Sequence, residues 1–155
     1  MSSPEENKKL IRYLIEEGLN KGNFDLLDQH FTPDYRVHLA GNPVSPPPGP
    51  QAVKMVIGMW RAAFGDWHMT IEQLVAEGDF VANRFTTRGT HTGPLMGIPP
   101  TGKKMVVHGQ ELHRLANGKV AETWVCDDLP GILVQLGIVQ PPPLARPQGP
   151  PGRPA

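Results

Sequence analysis

The stretch KKMVVHGQELHRLANGKVAETWVCDD, Lys103–Asp128, decides the fold. At its centre stands Asn117-Gly118, the dipeptide best suited to a two-residue type I′ loop, because both central positions of that turn need positive φ. On either side apolar and polar residues alternate with period two, over about Lys103 to Leu115 and Val120 to Cys126, as half-buried strands do. The segment therefore reads as one long antiparallel hairpin. Pairing outward from the loop sets Ala116 against Lys119, Leu115 against Val120, His113 against Glu122 and Glu111 against Trp124. Alternation then puts Glu111, His113, Leu115, Val120, Glu122, Trp124 and Cys126 on one side, with Asp128 continuing it. Gln110, Leu112, Arg114, Ala121, Thr123 and Val125 fall on the other.

The first of these sides mixes ionisable groups with an indole and aliphatic residues. A carboxylate held against an indole away from water is harder to ionise, which suits an acid/base working near neutral pH. This makes Asp128 the candidate acid/base, with Glu111 and His113 beside it and Trp124 in the same pocket. A plainer alternative stands next to it: Asp127 and Asp128 cap a final helix, where short acids accept N–H bonds. Glu111, His113 and Glu122 likewise have an alternative as a cross-strand ion-pair network.

Working outward, period-two patterning also marks His68 to Ala76 and Phe80 to Thr90, joined by Glu77-Gly78-Asp79. Thr92 to Gly102 (TGPLMGIPPTG) is too rich in Gly and Pro for regular structure and forms a rim loop. Upstream the spacing turns helical. Ser3, Pro4 and Glu6 fit an N-cap, an N1 proline and a capping-box acid ahead of the stripe Leu10, Ile11, Leu14, Ile15. A short helix over about Phe24 to His30 ends before Pro33 and an extended run Tyr35 to Leu39. After the stiff proline segment Asn42 to Pro50, a third helix begins near Gln51 with Val53, Val56, Ile57, Trp60, Ala63 and Phe64 on one face. Trp60 belongs either to the core or to a pocket wall. Ile132 to Leu136 reads as a last short helix. Helices first and long antiparallel strands afterwards predict an α+β domain, with helices on one face of a curved sheet that encloses a pocket.

The 155 residues suffice for one well-buried core. The folded domain is expected over residues 1–138, and residues 139–155 (QPPPLARPQGPPGRPA from Gln140) form a proline-rich tail with too few apolar groups to add to the core. Lys+Arg and Asp+Glu balance at 15 each, which argues against nucleic acid or an anionic membrane as partner. No stretch is long and apolar enough for a signal peptide or a span, so a cytoplasmic protein is expected. One cysteine, Cys126, permits no internal disulfide, and neither CxxC nor HExxH occurs. No metal and no cofactor are expected, and the partner called for is a small apolar molecule.

Several stretches carry a resemblance: FTPDYRVH (Phe31–His38), AEGDFVA (Ala76–Ala82), RGTHTGPLMGIPPTG (Arg88–Gly102), NGKVAETW (Asn117–Trp124), and Asp128 with the following LPGILVQLG. Together, over about Leu10 to Gly137, they resemble the SnoaL-like polyketide cyclase, or ester cyclase, family of the nuclear transport factor 2-like superfamily. The resemblance implies a cone of helices on a strongly bent, mainly antiparallel sheet, a homodimer or homotetramer, and an apolar pocket without metal or organic cofactor. It also implies an aspartate near the end of the last long strand as acid/base in an intramolecular aldol condensation, a position that Asp128 matches. His38 matches a position at the cone mouth and is a candidate substrate contact with Trp60 and Trp124. Thr123 and Cys126 depart from the family pattern.

Three functions fit these readings. The first is a cofactor-free cyclase or isomerase acting on a carbonyl-containing, polyketide-like ligand. The second is an epoxide or ester hydrolase, which wants an Asp-Arg-Asp relay; the hairpin face above offers no Arg. The third is a non-catalytic binding or assembly module presenting its proline tail.

Overall fold

The computed structural model describes residues 2–42, 45–141 and 143. Residues 144–155, most of the tail assigned by composition, lie outside them. Helix α1 (Pro4–Tyr13) starts at the expected capping box: the Ser3 N–H donates to Glu6 Oε2 at 2.7 Å and the Glu6 N–H to Ser3 Oγ at 3.2 Å. The helix continues as a π-helical turn, Leu14–Leu19, closed by the Asn20 N–H on the Ile15 carbonyl at 2.9 Å. Helix α2 (Asp25–His30) runs directly into strand β1 (Phe31–Leu39).

Strand β1 thus begins two residues before Pro33, where the sequence suggested a break. An edge strand tolerates this, because Pro33 lies in the irregular stretch between the pairs Phe31–Val120 and Arg36–Glu122, where no ladder N–H is required. Helix α3 (Pro50–Ala63) follows. Strands β2 (His68–Glu77), β3 (Phe80–Thr90), β4 (Lys104–Ala116) and β5 (Lys119–Asp127) complete the sheet. Helix α4 (Leu129–Gln135) closes the domain, starting three residues earlier than its apolar pattern indicated because Asp128 caps it.

The sheet order is β1-β5-β4-β3-β2, antiparallel except for the parallel pair β1–β5. Helices α1, α3 and α4 cover its concave face, and the core lies between, with Ile11, Leu27, Ala52, Phe64 and Val81 essentially inaccessible. Two side-chain amides stand in for missing strand partners. Asn20 donates Nδ2 to the Met69 carbonyl (2.9 Å) and accepts the Met69 N–H (2.8 Å), pairing with β2 at the sheet edge. Gln135 does the same to Val106 of β4, at 2.9 and 2.8 Å. Both satisfy backbone groups that would otherwise be orphaned, and both tie pocket-covering helical segments to the sheet.

The hairpin loop is as the sequence predicts: Asn117 and Gly118 have φ of 51° and 73°, and Ala116 pairs with Lys119 and Leu115 with Val120. One residue later the register breaks. Arg114 pairs with Glu122, so Ala121 is an extra residue without a partner, a β-bulge. Beyond it His113 faces Thr123 rather than Glu122, and Glu111 faces Val125 rather than Trp124. Every β5 side chain after the bulge therefore changes face relative to the regular hairpin.

Gly109 lies opposite Asp127, and a Cβ built there would sit 2.3 Å from the ring of Phe85. We expect Gly109→Ala to cost roughly 1–3 kcal/mol through overpacking, read as a lowered midpoint in thermal or urea unfolding. An unchanged midpoint would show that Phe85 yields freely.

Candidate active site

The concave face and the helices enclose a cavity of about 900 Å³, counted out to its open mouth. The helical segments contribute only apolar side chains to it, among them Ile11, Leu14, Val53, Ile57, Trp60 and Ile132. The strands contribute Met69, Phe85, Met105 and Val125, and also all the polar groups: Tyr35, Thr87, Glu111, His113, Thr123 and Asp127. Among the described residues no Lys or Arg lines it. Among the described residues no group of three or more His, Cys, Asp or Glu is placed to hold a metal.

The polar residues form a row across the sheet. His113 Nδ1 lies 3.0 Å from Thr123 Oγ1, and the Tyr35 hydroxyl on β1 neighbours the same threonine. On the other side His113 Nε2 sits 3.4 Å from Glu111 Oε2, and Glu111 Oε2 accepts the Asn83 amide N–H of β3 at 3.2 Å. His113 Nε2 is fully buried yet makes no well-formed hydrogen bond. Where the Thr123 hydroxyl donates to Nδ1, Nε2 carries the ring proton and lies next to Glu111 Oε2. Burial pushes the Tyr35 phenol far above its ordinary range, so it stays neutral.

Asp127 occupies the end of this row. Its carboxyl is held above the usual carboxylate range, first by desolvation, then by the Glu111 and Asp128 charges. Four groups of the sequence reading need correcting in placement. Asp128 is exposed and accepts the Gly131 N–H at 2.9 Å as the N-cap of α4, so its capping alternative is the one observed. Trp124 lies on the outer face, because the Ala121 bulge rotates it out and brings Thr123, Val125 and Asp127 in. His38 pairs with Trp124 and shares its face; the rings stack at 5.2 Å and 12°, and His38 Nε2 contacts Glu122 Oε1 at 2.8 Å. That bond, helped by Arg114 at 3.1 Å, holds the Glu122 carboxyl below its usual range. Glu122 is thereby removed from the pocket side as well, and Glu111 and His113 belong to the cavity without it. Glu111, His113 and Trp60 are where the sequence reading put them, lining the pocket.

The sequence reading missed Asp127, Tyr35 and Thr123 as pocket residues, and Asn83 as the hydrogen-bond partner of Glu111. The profile described as SnoaL-like polyketide cyclase matches residues 9–136. The chain belongs to that family. It is 31% identical over 123 residues to the nogalonic acid methyl ester cyclase of Streptomyces nogalater, covering 76% of this chain and 88% of that one. It is 29% identical over 154 residues to the aklanonic acid methyl ester cyclase of Streptomyces sp. strain C5, covering 93% and 90%. TsrD from Streptomyces laurentii superposes with a TM-score of 0.79 at 28% identity, over 90% of this chain and all of that one. The fold of this SnoaL-like chain is the nuclear transport factor 2-like cone, helices on an open five-stranded mixed sheet. No helix among the described residues is long and apolar enough to cross a membrane.

A carboxyl that is harder to ionise in the folded state than in the unfolded one stabilises the fold at low pH, and that contribution is lost as pH rises from the ordinary carboxylate range to the raised value. At pH 7 Asp127 is therefore a net cost. Asp127→Asn should raise the melting temperature at pH 7, with the gain shrinking as pH falls below the ordinary carboxylate range. A gain independent of pH, or a loss at pH 7, would contradict the desolvated placement.

Proposed function

We propose that this SnoaL-like chain closes a ring in a polyketide-like ester by intramolecular aldol condensation, with Asp127 as the acid/base. One observation carries the reading: a carboxyl with suppressed ionisation stands at the polar end of an otherwise apolar cavity. The Asp127 carboxylate takes the proton from carbon between two carbonyls, and the resulting enolate carbon bonds to a second carbonyl carbon of the same molecule. The oxygen of that carbonyl then takes the proton back from Asp127 as it becomes a hydroxyl, so the enzyme ends unchanged. A base with raised affinity for protons is matched to this double duty. The neutral Tyr35 hydroxyl, among the polar groups lining the cavity, is the donor for the oxygen on which charge develops.

The lining also bears on substrate charge. With Glu111 and Asp127 present and no Lys or Arg among the described lining residues, a free carboxylate at this end would meet repulsion without compensation, whereas an ester would not. This fits the methyl esters in the names of the two relatives. A hydrolase with an Asp-Arg-Asp relay is disfavoured by the absence of Arg from the lining, and a binding module by the carboxyl at the cavity's polar end. The outer sheet face exposes Val75, Leu112 and Trp124, which supports a homodimer or larger assembly. Leu112 is outside as the sequence reading had it, while Val125 turns inward past the bulge.

The test compares two neighbouring aspartates with nogalonic and aklanonic acid methyl esters as substrates. Asp127→Asn should lose cyclisation by roughly 100-fold or more while still binding the ester, and Asp128→Asn, whose amide oxygen still caps α4, should stay within a few-fold of wild type. The opposite ranking would refute the assignment.

A further inference from the structure

Asn83 is a polar side chain sealed in the interior, 1% exposed, on β3 directly opposite Glu111. Among the described residues its only side-chain hydrogen bond sends Nδ2 to Glu111 Oε2 at 3.2 Å, while its Oδ1 is buried with no partner. An amide with half its capacity unmet costs stability at a position where Leu would fill similar volume, so packing does not explain it. Its neighbour does. Glu111 and Asp127 stand diagonally across the β4–β5 pair, with Gly109 opposite Asp127 and the Phe85 ring packed over Gly109, and the Glu111 charge acts on the Asp127 carboxyl. At that spacing long side chains reach one another.

We infer that Asn83 is a positioning residue: its amide pins the Glu111 carboxyl group beside the Asp127 carboxyl. This rests on the acid/base reading of Asp127. An amide N–H favours the charged form of the carboxylate that accepts it, and a fixed negative charge disfavours a second one nearby. Asn83 does not line the cavity, so it acts through Glu111 and not on the ligand. The other titratable groups around the pair are His113, 3.4 Å from Glu111, Tyr35 on β1 and Asp128 next in the chain. The helices covering the pair present only apolar side chains to the cavity.

The assignment is tested on the free protein by following the Asp127 carboxyl carbon through a pH titration by NMR, with Asp and Glu labelled at their side-chain carboxyls. In Asn83→Leu the Glu111 carboxyl is no longer held beside Asp127, and losing that neighbouring charge lowers the Asp127 midpoint, by about half a pH unit or more. Asn83→Ser, too short to reach Glu111, should do the same and serves if the leucine variant does not fold. Glu111→Gln should lower the midpoint directly. If Glu111→Gln lowers it while neither folded Asn83 variant does, Asn83 is not the positioning group; if Glu111→Gln leaves it unchanged, the pair does not exist. Because no turnover is measured, failure of the wild-type protein to cyclise methyl esters would overturn the proposed reaction and leave this assignment standing.

Discussion

A single unpaired residue, Ala121, sets the chemistry of this domain. In a regular hairpin the Asn117-Gly118 loop would place Trp124, Cys126 and Asp128 on the concave side. The bulge at Ala121 reverses that, putting Thr123, Val125 and Asp127 under the helices and sending Trp124 to the outer face against His38. Thr123 then completes the row that joins Tyr35 on β1 to His113 on β4. The next residue after the strand, Asp128, is freed to cap α4, and that helix lays Ile132 against the cavity. Adjacent, chemically identical aspartates thus take opposite roles because one side chain falls on each side of the chain.

The row of polar groups is expensive. Two acids, a histidine and an amide with an unmet acceptor are drawn out of water in a cavity walled by aliphatic and aromatic residues. Such groups destabilise a fold unless they are well paired, and here the pairing is partial. The surrounding domain offsets this through ordinary means: a complete capping box, amide side chains closing two strand edges, and a core of aliphatic and aromatic side chains. Asn83 Oδ1 and His113 Nε2 are among the buried side-chain atoms left without a hydrogen-bond partner, a stability cost of the kind a protein carries where it trades stability for reactivity.

Much of the architecture was legible because it is written locally. Ser3 with Glu6, the Asn-Gly loop, the apolar face of α3 and the alternation in β2 to β4 each depend on neighbours a few residues apart. Glu111, His113 and Trp60 were placed correctly because β4 is regular beyond Arg114 and α3 is a straightforward amphipathic helix. The misplacements share one cause. A bulge leaves no composition signature, since Ala121 fits a regular strand as well as a bulged one, and beyond it every parity argument inverts. His38 was misplaced for a related reason: β1 pairs in parallel with β5, a long-range contact that fixes which face His38 shares with Trp124 and that no short pattern encodes. Asn83, Tyr35 and Thr123 are single polar residues in strands, and only the assembled sheet shows that they meet.

The central claim is that Asp127, not Asp128, faces the reacting carbon. A crystal structure of the protein with aklanonic acid methyl ester or its cyclised product bound tests this most directly. The account predicts the ligand's polar end among Tyr35, His113 and Asp127, with an Asp127 carboxyl oxygen within hydrogen-bond reach, about 2.6–3.2 Å, of the ligand and Asp128 still on the Gly131 N–H. A ligand contacted by Asp128, with Trp124 in the cavity and Asp127 on the outer face, would contradict it.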